Sequence, residues 1–401
     1  MIQPTPRTPA IVVAAHRRPA ALARLLDSIA LAAYPPAVEV PLVISIDPLR
    51  PGNPATPAGA EVAELARAFA WRHGPKTVLV HPQPLGLVRH FIACGALSAR
   101  FGSIVFLEDD LAVSRGFYRS AAGMLEAYGG DARVALACLY GLWFDGYDLE
   151  PFEPIDDGSD GFFLGVPYTQ GLAFTDEQWA RLAPALDPST PLVADPRLHP
   201  AFRVLGADEW FPRLTNACVA ADRKVAYPRR SLVTSWGDAG AHFVRATRGL
   251  QAALQRGPAL ERWLPLDDAD AVYDAFFELD PGVLARLAPR FAGLDVELDL
   301  RATKPRAAIR ARHVLTTRRS PRAIERFGLA ARPIEANVID GVPGDGISLA
   351  RVEDVDWSDG AARGARRRVR TFLARDRQPS LRRLLGDRLA VAGDRIRNGG
   401  R

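Results

Sequence analysis

Between residues 10 and 128, short apolar runs alternate with stretches whose apolar residues recur every three to four positions. The run Ala10-Ile-Val-Val-Ala-Ala15 is apolar throughout, as a strand buried on both faces requires. Pro19 suits the first turn of a helix, and Leu22, Leu25, Leu26 and Ile29 then share one helical face. A strand is expected at 40–46, a helix at about 59–72, a strand at 77–80 and a helix at about 86–99. The strand Ser103-Ile-Val-Phe-Leu107 stops abruptly on Glu108-Asp109-Asp110, and a helix at 114–128 follows. Such alternation predicts an α/β fold with an open, mainly parallel sheet flanked by helices, Rossmann-like. Ligands of such sheets bind beyond the carboxyl ends of the strands. Asp47 and the Glu108-Asp109-Asp110 run therefore share one rim.

Further strands are expected near 133–138, 171–174 and 224–227. Leu250, Leu254, Val272, Phe276, Phe277, Leu284 and Leu287 recur at helical spacing over 246–291. Short alternating strands come next at 296–300, 313–317, 324–332 and 347–355. The chain divides accordingly into an α/β domain at 1–245 and an accessory helical and small β domain at 246–358. A basic tail, amphipathic or disordered, is expected at 359–401.

Composition excludes several classes. Of the 401 residues, 48% are hydrophobic and 24% charged, as in a globular chain with a large core. No apolar run approaches the roughly 18–20 residues that cross a bilayer. The N-terminus lacks the long apolar stretch of a signal peptide, which points to the cytoplasm. Cys94, Cys138 and Cys218 are scattered, without the spacing of a zinc site or a disulfide framework. Lysine occurs only at 76, 224 and 304, a bias that suggests an Arg-rich bacterial proteome. The net charge of +5 is uneven. Thirteen Arg and three Asp give residues 361–401 a charge of +10 and leave the rest at −5. The basic pI is thus no argument that the folded body binds nucleic acid.

Three carboxylates at the end of a buried strand repel one another and lose hydration, which is costly unless a cation is present. Hard oxygen ligands suit Mg²⁺ or Mn²⁺, ions that usually reach a substrate through its phosphates. The bland alternative is an acidic turn at the start of the next helix.

The segment Thr77-Val-Leu-Val-His-Pro-Gln-Pro-Leu-Gly-Leu-Val-Arg-His90, followed by Ser103 to Leu111, resembles the nucleotide-binding half of GT-A glycosyltransferases. The opening Val12-Val-Ala-Ala-His-Arg-Arg-Pro19 is similar to their first strand and turn, although Arg17 replaces a usual Asn. The chain resembles family 2-like and N-acetylglucosaminyltransferase I-like inverting enzymes, and Glu-Asp-Asp-Leu before Ser114-Arg-Gly-Phe-Tyr118 is closer to the latter branch than to the commonest Asp-x-Asp form. Thr169-Gln-Gly-Leu-Ala-Phe-Thr-Asp-Glu-Gln-Trp179 is similar to the acceptor-side Gly-Leu-Gly-Trp segment. Ala207-Asp-Glu-Trp-Phe211 resembles the Trp-Asp-Asp-Trp-Met motif that carries the base, with Ala207 and Glu209 departing from it. Tyr227 to Phe243 resembles the Gly/His loop that closes over the donor.

This resemblance, over roughly 10–243, implies an inverting, metal-dependent transferase. It would move a hexosyl or N-acetylhexosaminyl group from a nucleotide-diphosphate sugar, UDP-linked, to a glycan or lipid-linked acceptor in bacterial polysaccharide synthesis. Asp208 or Glu209 would be the base, with Asp208 matching the first Asp of the motif. Asp110 would hold Mn²⁺ or Mg²⁺. Ala14, His16, Arg18, Asp47, Arg89, Glu108, Asp109 and His242 would surround the nucleotide sugar. A sugar nucleotidyltransferase is the rival enzyme, but the loop after the first strand lacks its glycines. A non-catalytic glycan- or nucleotide-binding module is the other alternative. The basic tail would touch an anionic membrane peripherally; no nucleic-acid partner is expected.

Overall fold

The computed structural model describes residues 8–49, 56–146, 150–190, 192, 195, 197–199, 209–238 and 248–359. The N-terminal half builds strands β1 (Ala10–Ala15), β2 (Leu42–Ile46), β3 (Lys76–Val80), β4 (Ser103–Glu108) and β5 (Leu111–Val113). Further along the chain come β6 (Val134–Cys138), β7 (Gly161–Leu164), β8 (Leu172–Thr175), β9 (Lys224–Pro228) and β10 (Val233–Ser235). All but β5 and β10 join one eight-stranded sheet in the order β3-β2-β1-β4-β8-β6-β9-β7. Only β8 and β7 run against the other six strands. The expected α/β fold, a mainly parallel sheet flanked by helices, is the fold observed.

The sequence dictates the centre of this sheet. Ile11, Val12 and Val13 of β1 are fully buried, as are Leu42 and Ile44 of β2 and Ile104, Val105 and Leu107 of β4. Strands without an exposed face need cover on both sides. It comes from α1 (Pro19–Ala30), α2 (Thr56–Ala68), α3 (Leu87–Gly95), α4 (Ser98–Phe101), α5 (Phe117–Tyr128), α6 (Asp176–Leu186) and α7 (Trp210–Ala220). α1 starts where Pro19 allows and buries Leu22, Leu25, Leu26 and Ile29, the face read from the sequence. α6 starts at a capping box. The Thr175 hydroxyl accepts from Gln178 N at 3.2 Å, and Gln178 Oε1 accepts from Thr175 N at 3.0 Å.

Four expectations need correction. The helix over 86–99 is two pieces, α3 and α4, and the helix placed at 114–128 begins only at Phe117, after β5. The helices expected over 246–291 reduce to α8 (Pro281–Leu287) and a 3₁₀ turn at Pro289–Phe291. Residues 248–280 instead run alongside the sheet, bridging Ser231 to Leu254 and Phe163 to Val272. Pro258 and Pro265 break any helix there, and Val272, Tyr273 and Phe276 are buried without one. β7, Gly161-Phe-Phe-Leu164, lies between the strands expected near 133–138 and 171–174, where no strand was expected.

A four-stranded sheet lies beyond, ordered β11-β12-β14-β13 from β11 (Val296–Asp299), β12 (His313–Thr316), β13 (Glu325–Phe327) and β14 (Ile347–Arg351). Its Leu298, Leu315, Phe327 and Ile347 belong to the same continuous core as the large sheet. Among the described residues no helix is long and apolar enough to cross a membrane. The tail lies outside them.

Candidate active site

The carboxyl ends of β1, β2 and β4 stand side by side because their register is parallel. Ala14 pairs with Ser45 on one side and with Glu108 on the other. The residues that leave the three strands therefore meet on one rim. After β1 come His16 and Arg18, after β2 comes Asp47, and after β4 come Asp109 and Asp110. β4 leaves the main sheet after Glu108, Asp109-Asp110 form a turn, and Leu111 opens β5, which pairs antiparallel with β10. The two aspartates occupy the corner between the two sheets.

Arg18 joins these elements. Its Nη1 donates to Asp110 Oδ2 at 2.8 Å, and its Nη2 bonds Asp109 Oδ1. Asp109 is 2% exposed, and its second oxygen faces the His16 backbone N–H at 3.4 Å. Burial lowers the basicity of the Arg18 guanidinium, but the two carboxylates outweigh it and raise its pKa. Burial pushes the Asp109 carboxyl up against the pull of Arg18. Glu108 goes further, to about 8, because burial is reinforced by Asp110 and Asp109.

Asp47 stands on the rim but turns inward. Its carboxylate accepts from Leu85 N at 2.7 Å and from Gly86 N at 2.9 Å, and it is 6% exposed. It anchors the loop leading into α3, where Gly86 takes φ +78°, a conformation that glycine adopts at little cost. His16 Nδ1 donates to the Asp47 carbonyl at 2.7 Å. Arg89 lies exposed on α3.

Glu209 is the residue before α7. Trp210 stacks on Phe91 of α3 at 3.9 Å and meets the edge of Phe106 at 6.3 Å. Phe106 is two residues upstream of Glu108 on β4. The start of α7 is therefore fixed against the strand that carries the aspartates. Asp208 and His242 lie outside the described residues.

The sequence pattern did not single out two features of this rim. Trp236 lies just after β10, donates its backbone N–H to the Asp110 carbonyl at 3.1 Å and is 45% exposed. Arg24 lies over its ring at 5.1 Å and pairs with Asp238. The other feature is buried. Ser45 Oγ lies 3.0 Å from His81 Nε2 and 2.9 Å from His90 Nε2. Burial lowers the His90 pKa to about 4, assisted by the charges of His81 and His16 and opposed by Asp47. His81 follows β3 as Asp47 follows β2, so its rim position was available from the strand pattern alone.

Among the described residues no group of three or more His, Cys, Asp or Glu side chains is arranged to hold a metal ion. The fit to Mg²⁺ or Mn²⁺ rests on Asp110. Its side chain is 30% exposed, and Arg18 takes only one of its oxygens. Such ions are often held by one or two carboxylates, with substrate phosphates and water completing the shell. Asp110 meets that requirement.

A cavity of about 130 Å³ lies elsewhere, where β9 begins, lined by Lys224, Asp274, Glu297, Lys304 and Arg310. Lys304 bonds Asp274 at 2.5 Å and lies 3.6 Å from Glu297. Its buried charge is balanced by the chain itself.

No protein-family model matches this chain, and no curated protein does. Solved structures similar to it include S. aureus TarS, at TM-score 0.34 and 11% identity over 57% of this chain and 37% of TarS. GalNAc-T7 with UDP, GalNAc and Mn²⁺ gives 0.37 and 12% over 56% of this chain and 42% of its own. The apo bifunctional glycosyltransferase WbbM gives 0.29 and 12% over 54% and 38%. The chain thus spans well under two thirds of each.

Proposed function

We propose that this chain is a glycosyltransferase of the GT-A type, taking a sugar from a UDP-linked donor with inversion. The supporting observation is the convergence of three strand ends on one rim, with Arg18 set between Asp109 and Asp110 and the start of α7 fixed beside them by Trp210. The donor diphosphate lies against this rim, where Arg18 offers a fork that matches phosphate oxygens. His16, Ala14 and the loop held by Asp47 border the nucleoside. Asp110 would hold a divalent cation, which would supply charge neutralisation for the leaving diphosphate. Asp208 or Glu209 accepts the proton of the acceptor hydroxyl, and His242 is assigned to donor binding.

In this reading catalysis belongs to 1–245, an accessory role to 246–358, and 359–401 is a basic tail. The acceptor is a glycan or lipid-linked sugar of bacterial surface polysaccharide synthesis. The protein acts in the cytoplasm, with its tail on the anionic inner face of the membrane. Incubating the purified chain with a panel of nucleotide sugars and Mn²⁺ tests the activity class. Release of a nucleoside diphosphate from one donor supports it; hydrolysis of none, with or without crude glycolipid acceptor, overturns it.

A further inference from the structure

We propose that Arg18 is a built-in cation that closes Asp109 and Asp110 to divalent metal until a nucleoside diphosphate draws the guanidinium away. The inference rests on the assignment of this rim as the donor site.

The guanidinium already occupies the position between the two carboxylates, bonding one oxygen of each. An incoming Mn²⁺ therefore meets a cluster with half the negative charge of the bare pair, and a cation in its path. Arginine cannot step aside by losing a proton, since it stays charged at any working pH. It has to move. Its backbone is held, because Arg18 precedes Pro19 at the start of α1 and its carbonyl accepts from Leu22 N at 3.0 Å. Only the side chain can relocate, and it is 35% exposed on the open side of the rim. A diphosphate offers a bidentate partner that competes with the fork to the aspartates. Once the guanidinium has crossed over, Asp110 regains both oxygens and faces the same phosphates. Metal and nucleotide then tighten each other's binding, reciprocally.

The test is a Mn²⁺ titration of the full chain, monitored by the electron paramagnetic resonance signal of free aqueous Mn²⁺, with and without UDP. Wild type is expected to bind Mn²⁺ weakly alone and about tenfold or more tightly with UDP, an ordinary size for coupling between two sites. Arg18→Gln should bind Mn²⁺ without UDP about tenfold more tightly than wild type, and Arg18→Gln/Asp110→Asn should lose that gain. Arg18→Lys, which keeps the charge without the fork, should fall between; circular dichroism checks that each variant is folded. Equal affinities of wild type and Arg18→Gln without UDP overturn the inference while leaving the metal on Asp110 intact. Absence of Mn²⁺ binding in every chain, UDP included, removes the metal on Asp110 and the inference together.

Discussion

Trp210 and Phe91 stack with their ring centroids 3.9 Å apart and their planes 19° from parallel. This contact ties the first residue of α7 to α3, and so fixes the height of Glu209 relative to β4. A base has to stand within hydrogen-bond reach of the hydroxyl it deprotonates, so an anchored helix start is a physical requirement of the proposed chemistry.

The proposed function assigns the base to one of two adjacent carboxylates. Asp208→Asn and Glu209→Gln should differ. The variant lacking the base should lose transfer by about 10²–10⁴-fold and keep its affinity for UDP in a calorimetric titration. Equal loss of UDP affinity and turnover in both variants would assign the pair a structural role.

Asp47 acts through the loop it holds. Asp47→Ala removes the carboxylate that accepts from the N–H groups of Leu85 and Gly86, at a cost of about 1–3 kcal/mol seen as a lower urea midpoint. The donor KM should rise with it, because the loop borders the rim. A variant with unchanged midpoint and unchanged KM would contradict this role.

His90 gives the protein an acid-side sensitivity. Its pKa is depressed from 6.5 to about 4 in the folded state, chiefly by burial. Between those values the unfolded chain binds a proton that the folded chain does not. The stability this contributes is present above pH 6.5 and is lost as pH falls toward 4. Thermal melts at pH 7 and pH 5 should differ less in His90→Gln than in wild type. Identical differences in the two proteins would exclude His90 as the cause.

Much of this was legible in the sequence. The apolar runs of β1, β2 and β4 are buried on both faces, so the pattern named them directly, and the rim positions of Asp47, Asp109 and Asp110 came from where the runs stop. The role of Asp47 was not legible, because its partners Leu85 and Gly86 come from a loop nearly 40 residues away. Arg18 was expected only among the residues around the nucleotide sugar; its bond to two aspartates more than 90 residues distant depends on the parallel register of β1 and β4. The segment 248–280 misled for another reason. Its apolar residues fall at helical spacing, yet they are buried against a sheet edge, where burial outweighs periodicity.

The tail lies outside the described residues, but its composition makes an expectation. Leu381, Leu384, Leu385, Leu389, Ala392 and Ile396 recur at helical spacing among arginines, and each arginine near an anionic surface adds about 1 kcal/mol. Full-length protein should sediment with anionic vesicles at low salt, while a chain ending near residue 360 should not. Both remaining in the supernatant would refute membrane contact.

The most direct measurement is donor hydrolysis by wild type and Asp110→Ala across a nucleotide-sugar panel with Mn²⁺, with circular dichroism to confirm the fold. The account predicts that the variant loses about 10²-fold or more of the rate, the scale of a lost electrostatic contact to the leaving group, and that EDTA does the same to wild type. Full activity of Asp110→Ala, or of wild type in excess EDTA, would contradict it.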